Sequence, residues 1–162
     1  MRRCKFALLL LLLAFGGWGA AHATVAIGIS LDVTAPVPAA VVAPASLDFH
    51  VLQGATASST FNVSNTGDGG SVLHYTIDEA PASCANAAAV PWLSATPASG
   101  SVDEAGVPAV VTVHVDGTGL GAGTYTAKVC VRSDDPAHPT IEVGVTLAVS
   151  DVIFANGFDP SP

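Results

Sequence analysis

Residues 120–136 read L-G-A-G-T-Y-T-A-K-V-C-V-R-S-D-D-P. The stretch opens on a glycine-rich turn. It then alternates, with Tyr125, Ala127, Val129 and Val131 on one side and Thr126, Lys128, Cys130 and Arg132 on the other. A period of two is what a half-buried strand requires, because successive side chains point to opposite faces of a sheet. The stretch closes on Ser133-Asp134-Asp135-Pro136, where Asp side chains bond nearby backbone and Pro fixes φ. The pattern predicts a central strand of an all-β sandwich.

The same period recurs along the chain. Leu47, Phe49 and Val51 alternate with Asp48 and His50; Phe61 and Val63 with Thr60, Asn62 and Ser64; Leu73, Tyr75 and Ile77 with His74, Thr76 and Asp78. Val111, Val113 and Val115 alternate with Thr112, His114 and Asp116, and Ile141, Val143, Val145, Leu147 and Val149 with Glu142, Gly144, Thr146 and Ala148. Asn65 to Gly70 reads as a loop, Glu79 to Ala89 as an irregular segment carrying Cys84, Val90 to Ser94 as a short edge strand, and Pro97 to Gly100 as a turn. No window shows a capped 3.6 period, and the alanines from Ala85 to Ala89 are too few for a helix. About seven short strands separated by turn signals predict an immunoglobulin-like sandwich of two antiparallel sheets. Tyr75, Val113, Tyr125, Val129, Val143 and Val145 are the expected core.

Residues 1–23 have the features of an export leader: Arg2, Arg3 and Lys5, then an apolar run with six consecutive leucines, then Ala21-His22-Ala23. Cys4 precedes the apolar run, so it is no lipid-attachment cysteine. Residues 24–44 are expected to form an N-terminal arm and a Pro/Ala/Val-rich linker, since Pro36, Pro38 and Pro44 cannot donate to a ladder. The compact domain is expected over residues 45–150, followed by a tail at 151–162. Removing residues 1–23 takes away three of the five bases and none of the thirteen acids, which leaves a formal charge of −11. Phosphate backbones require clustered Lys and Arg, so a nucleic-acid partner is excluded, and anionic lipid is disfavoured for the same reason. The chain is expected to be exported, to the periplasm, cell surface or medium, without membrane insertion.

Five motifs then come in order: Asn65-Thr66-Gly67; Pro91-Trp92-Leu93-Ser94 leading to Pro97-Ala98-Ser99-Gly100; Gly123-Thr124-Tyr125-Thr126; Ser133-Asp134-Asp135-Pro136; and Val145 to Val149. Together they resemble the bacterial immunoglobulin-like domains of the BACON type. The resemblance covers roughly residues 45–150. It implies a non-catalytic module of secreted or surface proteins, with carbohydrate or mucin binding as the proposed role. It also implies that Trp92 covers the end of the core. Ile153 to Asp159 in the tail is similar to short C-terminal segments of exported gammaproteobacterial proteins, which implies a sorting or docking peptide; a disordered tail or an extra edge strand is the other reading.

Residue chemistry narrows the function further. There is no G-x-S-x-G elbow, no H-E-x-x-H pair and no phosphate loop opening a helix. His50, His74 and His114 fall on outward positions of separate strands, and His138 lies beyond them in a turn. Asp134-Asp135 are adjacent in a turn, where an Asx role fits better than a glycosidase pair. Asp116, Asp134 and Asp135 could offer oxygens to calcium, but no EF-type loop surrounds them, so no metal and no cofactor is expected. Asn62-Val63-Ser64 matches a glycosylation acceptor but sits in mid-strand. Cys84 and Cys130 are expected to pair, the alternative being two buried thiols. Because Cys130 is on the polar side of its strand, the bridge should cross the outer face rather than the core. Lys128 and Arg132 should pair with Asp78 and Glu142 on that face. Any ligand contact is placed at Trp92 and Ser94, and the expected partner is a protein or a glycan.

Overall fold

The computed structural model describes residues 34–151. The leader expected at 1–23, the arm up to residue 33 and the tail from residue 152 lie outside the described residues. The strands are β1 (Ala40–Ala43), β2 (Ser46–Leu52), β3 (Thr56–Asn65), β4 (Val72–Ala80), β5 (Leu93–Thr96), β6 (Ser99–Asp103), β7 (Ala109–Asp116), β8 (Gly123–Ser133) and β9 (Thr140–Ser150), with one 3-10 turn at Cys84–Asn86. They form a four-stranded sheet, β1-β3-β7-β5, and a five-stranded sheet, β2-β9-β8-β4-β6. The fold is an all-β, immunoglobulin-like sandwich.

Its core is the set of alternating apolar positions. Phe61, Val63, Val111, Val113 and Val115 from the smaller sheet meet Leu73, Tyr75, Val129, Val131, Val143, Val145 and Leu147 from the larger. Val113, Val129 and Val143 are 0 % exposed. Fully burying a side chain of this size stabilises by roughly 1.5–3 kcal/mol.

Three features depart from the sequence expectation. First, β2 runs parallel to β9, with Leu47 opposite Val145 and Phe49 opposite Leu147. Alternation reports which face a side chain occupies; it carries no information on the direction of the neighbouring strand. Second, the segment expected as a linker ends in β1, which pairs with β3, and the compact unit begins at Pro36. Third, the turn expected at Pro97 to Gly100 is only a bend, and Ser99–Asp103 continues as β6 along β4.

The second and third departures share a cause. The chain passes from β1 in one sheet to β2 in the other at Pro44, and from β5 to β6 at Pro97. Pro has no N–H to offer a ladder, so it fits where a strand leaves one sheet for the other. Each lateral edge of the sandwich is therefore closed by one continuous stretch of chain. Gly100 faces Tyr75 across the β4–β6 ladder, and a Cβ on it would lie 2.5 Å from the Tyr75 hydroxyl. The ring of Tyr75 thus lies over Gly100, which seats β6.

Side chains join backbone bonds, from Thr66 N to Ala39 O and Asp68 N to Val37 O, in holding the entry to β1. Asp68 Oδ2 accepts from Val37 N at 3.0 Å, Asn65 Oδ1 from Ala39 N at 3.1 Å, and Asp135 Oδ2 from Ala40 N at 2.9 Å. Asn65 is 4 % exposed and also donates to Ser71 O and Val102 O, so it ties β1, β3 and β6 together.

Candidate functional site

Trp92 precedes β5, and Tyr125 begins the inward-facing row of β8. Trp92 O accepts the Asp116 amide of β7, which fixes the turn before β5. The two rings pack 6.3 Å apart at 58° across one end of the sandwich. A tilted arrangement at this distance is favourable for the aromatic quadrupoles. Both side chains are half-buried and lie against the core. Tyr125 was expected to be fully buried. It is not, because β4 ends at Ala80, opposite Lys128, so Tyr125 has β9 on one side, no β4 residue on the other, and Trp92 against its ring. Its hydroxyl reaches out of the end and donates to Gly121 O at 2.9 Å. Trp92 therefore covers the core, and the pair also leaves aromatic surface at the rim. Ser94 is exposed on the outer face of the smaller sheet, in register with His114. It does not join the aromatic pair on one surface.

The disulfide joins Cys84 to Cys130, with Cα atoms 5.6 Å apart. Together with Ala80 the two cysteines form a small apolar cluster separate from the main core. Cys130 is flanked across the sheet by Asp78 and Glu142, on the outer side. The bridge thus crosses the outer face, as its place in the alternation requires. Arg132 donates to Asp78 Oδ2 at 2.9 Å, and Lys128 lies 3.9 Å from Glu142 Oε2. The expected pairs are the pairs observed. They also do something the alternation does not show. Arg132 donates to Cys84 O at 2.7 Å and Glu142 accepts from Cys84 N at 2.9 Å, so the two charges grip the peptide groups of Cys84.

The remaining polar candidates lie on several elements, and of them His138 meets Asp135, with Nδ1 3.3 Å from Oδ2. His50, His74 and His114 are exposed on three strands, and His114 Nδ1 lies 3.0 Å from Ser58 Oγ. Asp116 lies in the smaller sheet, whereas Asp134 and Asp135 follow β8 in the larger. Asp134 Oδ1 accepts from His74 N, and Asp135 is 2 % exposed with Oδ1 accepting from Ala137 N. The bond from the Ala40 amide holds the Asp135 carboxyl below the usual carboxylate range, against the opposing effect of burial. The Thr118 hydroxyl, and then its amide, hold Asp116 low as well. Among the described residues, no group of three His, Cys, Asp or Glu could hold a metal ion. Asn62 of the glycosylation match is exposed in the middle of β3.

A family model, the viral BACON domain, matches residues 39–145, well over half of the chain. The chain belongs to the BACON family. The match begins at Ala39, beside β1, rather than at residue 45. No curated protein matches the chain by sequence. Among solved structures, this BACON domain is similar to the ASH/PapD-like domain 7 of human CEP192, at 15% identity and TM-score 0.56, over 82% of this chain and 100% of that one. It is also similar to the CsuC–CsuE chaperone–tip adhesion subunit complex of Acinetobacter baumannii, at 8% identity and TM-score 0.51, covering 69% of this chain and 52% of that one. A family 123 glycoside hydrolase of Clostridium perfringens matches at 7% identity and TM-score 0.55, covering 72% of this chain and 28% of that one. The chain thus spans about half of the second and less of the third. At these identities the likeness is one of fold alone.

Proposed function

We propose that this BACON domain is a non-catalytic interaction module, exported by its 1–23 segment, that meets its ligand at the Trp92–Tyr125 end. The observation that carries the reading is the half-buried aromatic pair, framed by the Gly117 to Gly123 loop, which offers no charged side chain. Apolar rings with a polar tip at a rim suit recognition of a protein or a sugar. The BACON family match favours binding over chemistry. The disulfide, and the absence of any described helix long and apolar enough to cross a membrane, are compatible with export. A protein partner is the first reading. A glycan is the second, favoured because a sugar ring can stack on Trp92.

Isothermal titration against soluble polysaccharides and a glycan array, each repeated with Trp92→Ala, tests both. Glycan binding that disappears in Trp92→Ala assigns the second reading; silence on the array with Trp92-dependent cross-linking to a protein assigns the first. Binding that survives Trp92→Ala but is lost in a Lys128→Ala, Arg132→Ala double variant moves the site to the outer face. Turnover of any polysaccharide overturns the non-catalytic assignment.

A further inference from the structure

The two outer faces of the sandwich differ in charge. The outer face of the five-stranded sheet carries Asp48, Asp78, Lys128, Arg132 and Glu142. The outer face of the four-stranded sheet is almost uncharged. Its cross-strand rows are Ser58–His114–Ser94, then Thr60–Thr112–Thr96, then Ala43–Asn62–Val110, then Val41–Ser64. Among the described residues its only carboxylate is Asp116 at one end, already engaged by the Thr118 amide at 2.8 Å. Val41 and Val110 stand 45% and 55% exposed on it.

We propose that this face is a self-association surface, which takes the same face of a second copy of the chain across a two-fold axis near Thr112. Three arguments select that occupant. A chain of net charge −8 repels its copies wherever carboxylates meet, and this is the face on which they do not. A two-fold contact sets one patch against itself, so it needs self-complementary groups. Hydroxyls supply this, because each donates and accepts, whereas a row of carboxylates cannot. Among the described residues its outward rows carry no Phe, Tyr or Trp side chain for a sugar to stack on, and their Thr and Val methyls suit the packing of sheet on sheet at about 10 Å.

The size of the face sets the strength. Its strands have 4, 10, 8 and 4 residues. At about 16 Å² of sheet per residue they present roughly 400 Å², so two faces bury about 800 Å², which places the dimer among weak associations.

Sedimentation equilibrium of the purified protein at about 10 μM to about 1 mM, the range of weak complexes, is the test. A monomer–dimer equilibrium is expected, strengthening from about 0.02 M to about 0.5 M NaCl as repulsion between the acidic copies is screened. Thr60→Glu with Thr112→Glu should weaken it at least about a hundredfold, because like charges would then meet. Both positions point outward, so the melting temperature verifies the fold. Thr76→Glu, on the other outer face, should leave association unchanged. A protein monomeric throughout, association that the double variant leaves intact, association that salt weakens, or mass gained only with a glycan or a different protein each overturns the proposal.

Discussion

Gly67 has no left-handed backbone to account for it; space does. A Cβ there would sit 2.7 Å from Ala39 N and Pro38 Cα, and closer still to Val37 O. Asn65 Oδ1 meanwhile receives the amides of both Gly67 and Ala39. The Asn-Thr-Gly motif is thus a socket: the Asn binds the incoming chain and the Gly lets it approach. Read locally, the motif is only a permissive loop, because its partner lies 26 residues upstream. Gly67→Ala should cost about 1–3 kcal/mol through overpacking. Faster hydrogen exchange at the Ala39 and Ala40 amides should accompany the lost stability in urea unfolding. Unchanged exchange at those amides would mean that Gly67 is not what admits the segment. Asp135 binds the same segment through the Ala40 amide, 95 residues upstream, and its buried carboxylate was legible only as a turn residue for the same reason.

At the scale of elements, strands with an apolar side and a polar side were legible. β2, β3, β4, β7, β8 and β9 each follow from alternation, and so does the side on which Cys130 lies. β1 and β6 were not. β1 is four residues of Ala and Val bordered by prolines, and β6 has one fully buried side chain, Val102, so neither presents an alternation to read. Both are specified by what other elements offer them, Asp135 and Asn65 for β1 and the Tyr75 ring for β6. The aromatic pair was half legible: Trp92 was singled out, but its partnership with Tyr125 depends on which sheet ends where. The turn at Cys84 is held twice, by the disulfide and by Arg132 and Glu142. Opening a loop of 46 residues by Cys84→Ser with Cys130→Ser removes a constraint worth about 4 kcal/mol on the chain-entropy model. The native position of the turn should nevertheless survive, because the two charges still bind the Cys84 peptide. The double variant should therefore unfold at lower temperature yet keep its Cys84-site amide shift and protection. Adding Glu142→Gln should then loosen the turn. If the double variant already loses protection there, the bridge alone holds the turn.

At the scale of the whole molecule, acid should act through few groups. Two carboxyls, Asp135 and Asp116, are held low in the folded state, and these link folding to pH. The exposed ion pairs on the outer face, Lys128 with Glu142 and Arg132 with Asp78, contribute about 0–1 kcal/mol each. Asp135 differs. Its folded carboxyl is held below the ordinary value, first by the Ala40 amide and then by the Ala137 and His138 amides. A depressed folded pKa contributes stability that is fully present above the unfolded value of about 3.9 and is lost as pH falls through the folded value. The Asp135 contribution to unfolding free energy should therefore be nearly flat from about pH 7 to about pH 5 and fall steeply below about pH 4. Asp135→Asn keeps an acceptor for the Ala40 amide but cannot titrate. It should be less stable at neutral pH by about 1–3 kcal/mol, the difference between a charged and a neutral acceptor, and its acid slope should be shallower. The two curves should converge as pH falls, and β1 should be the element whose amides lose protection first. Parallel curves from neutral pH down to about pH 3 would place the acid sensitivity of the sandwich elsewhere than the Asp135 seam.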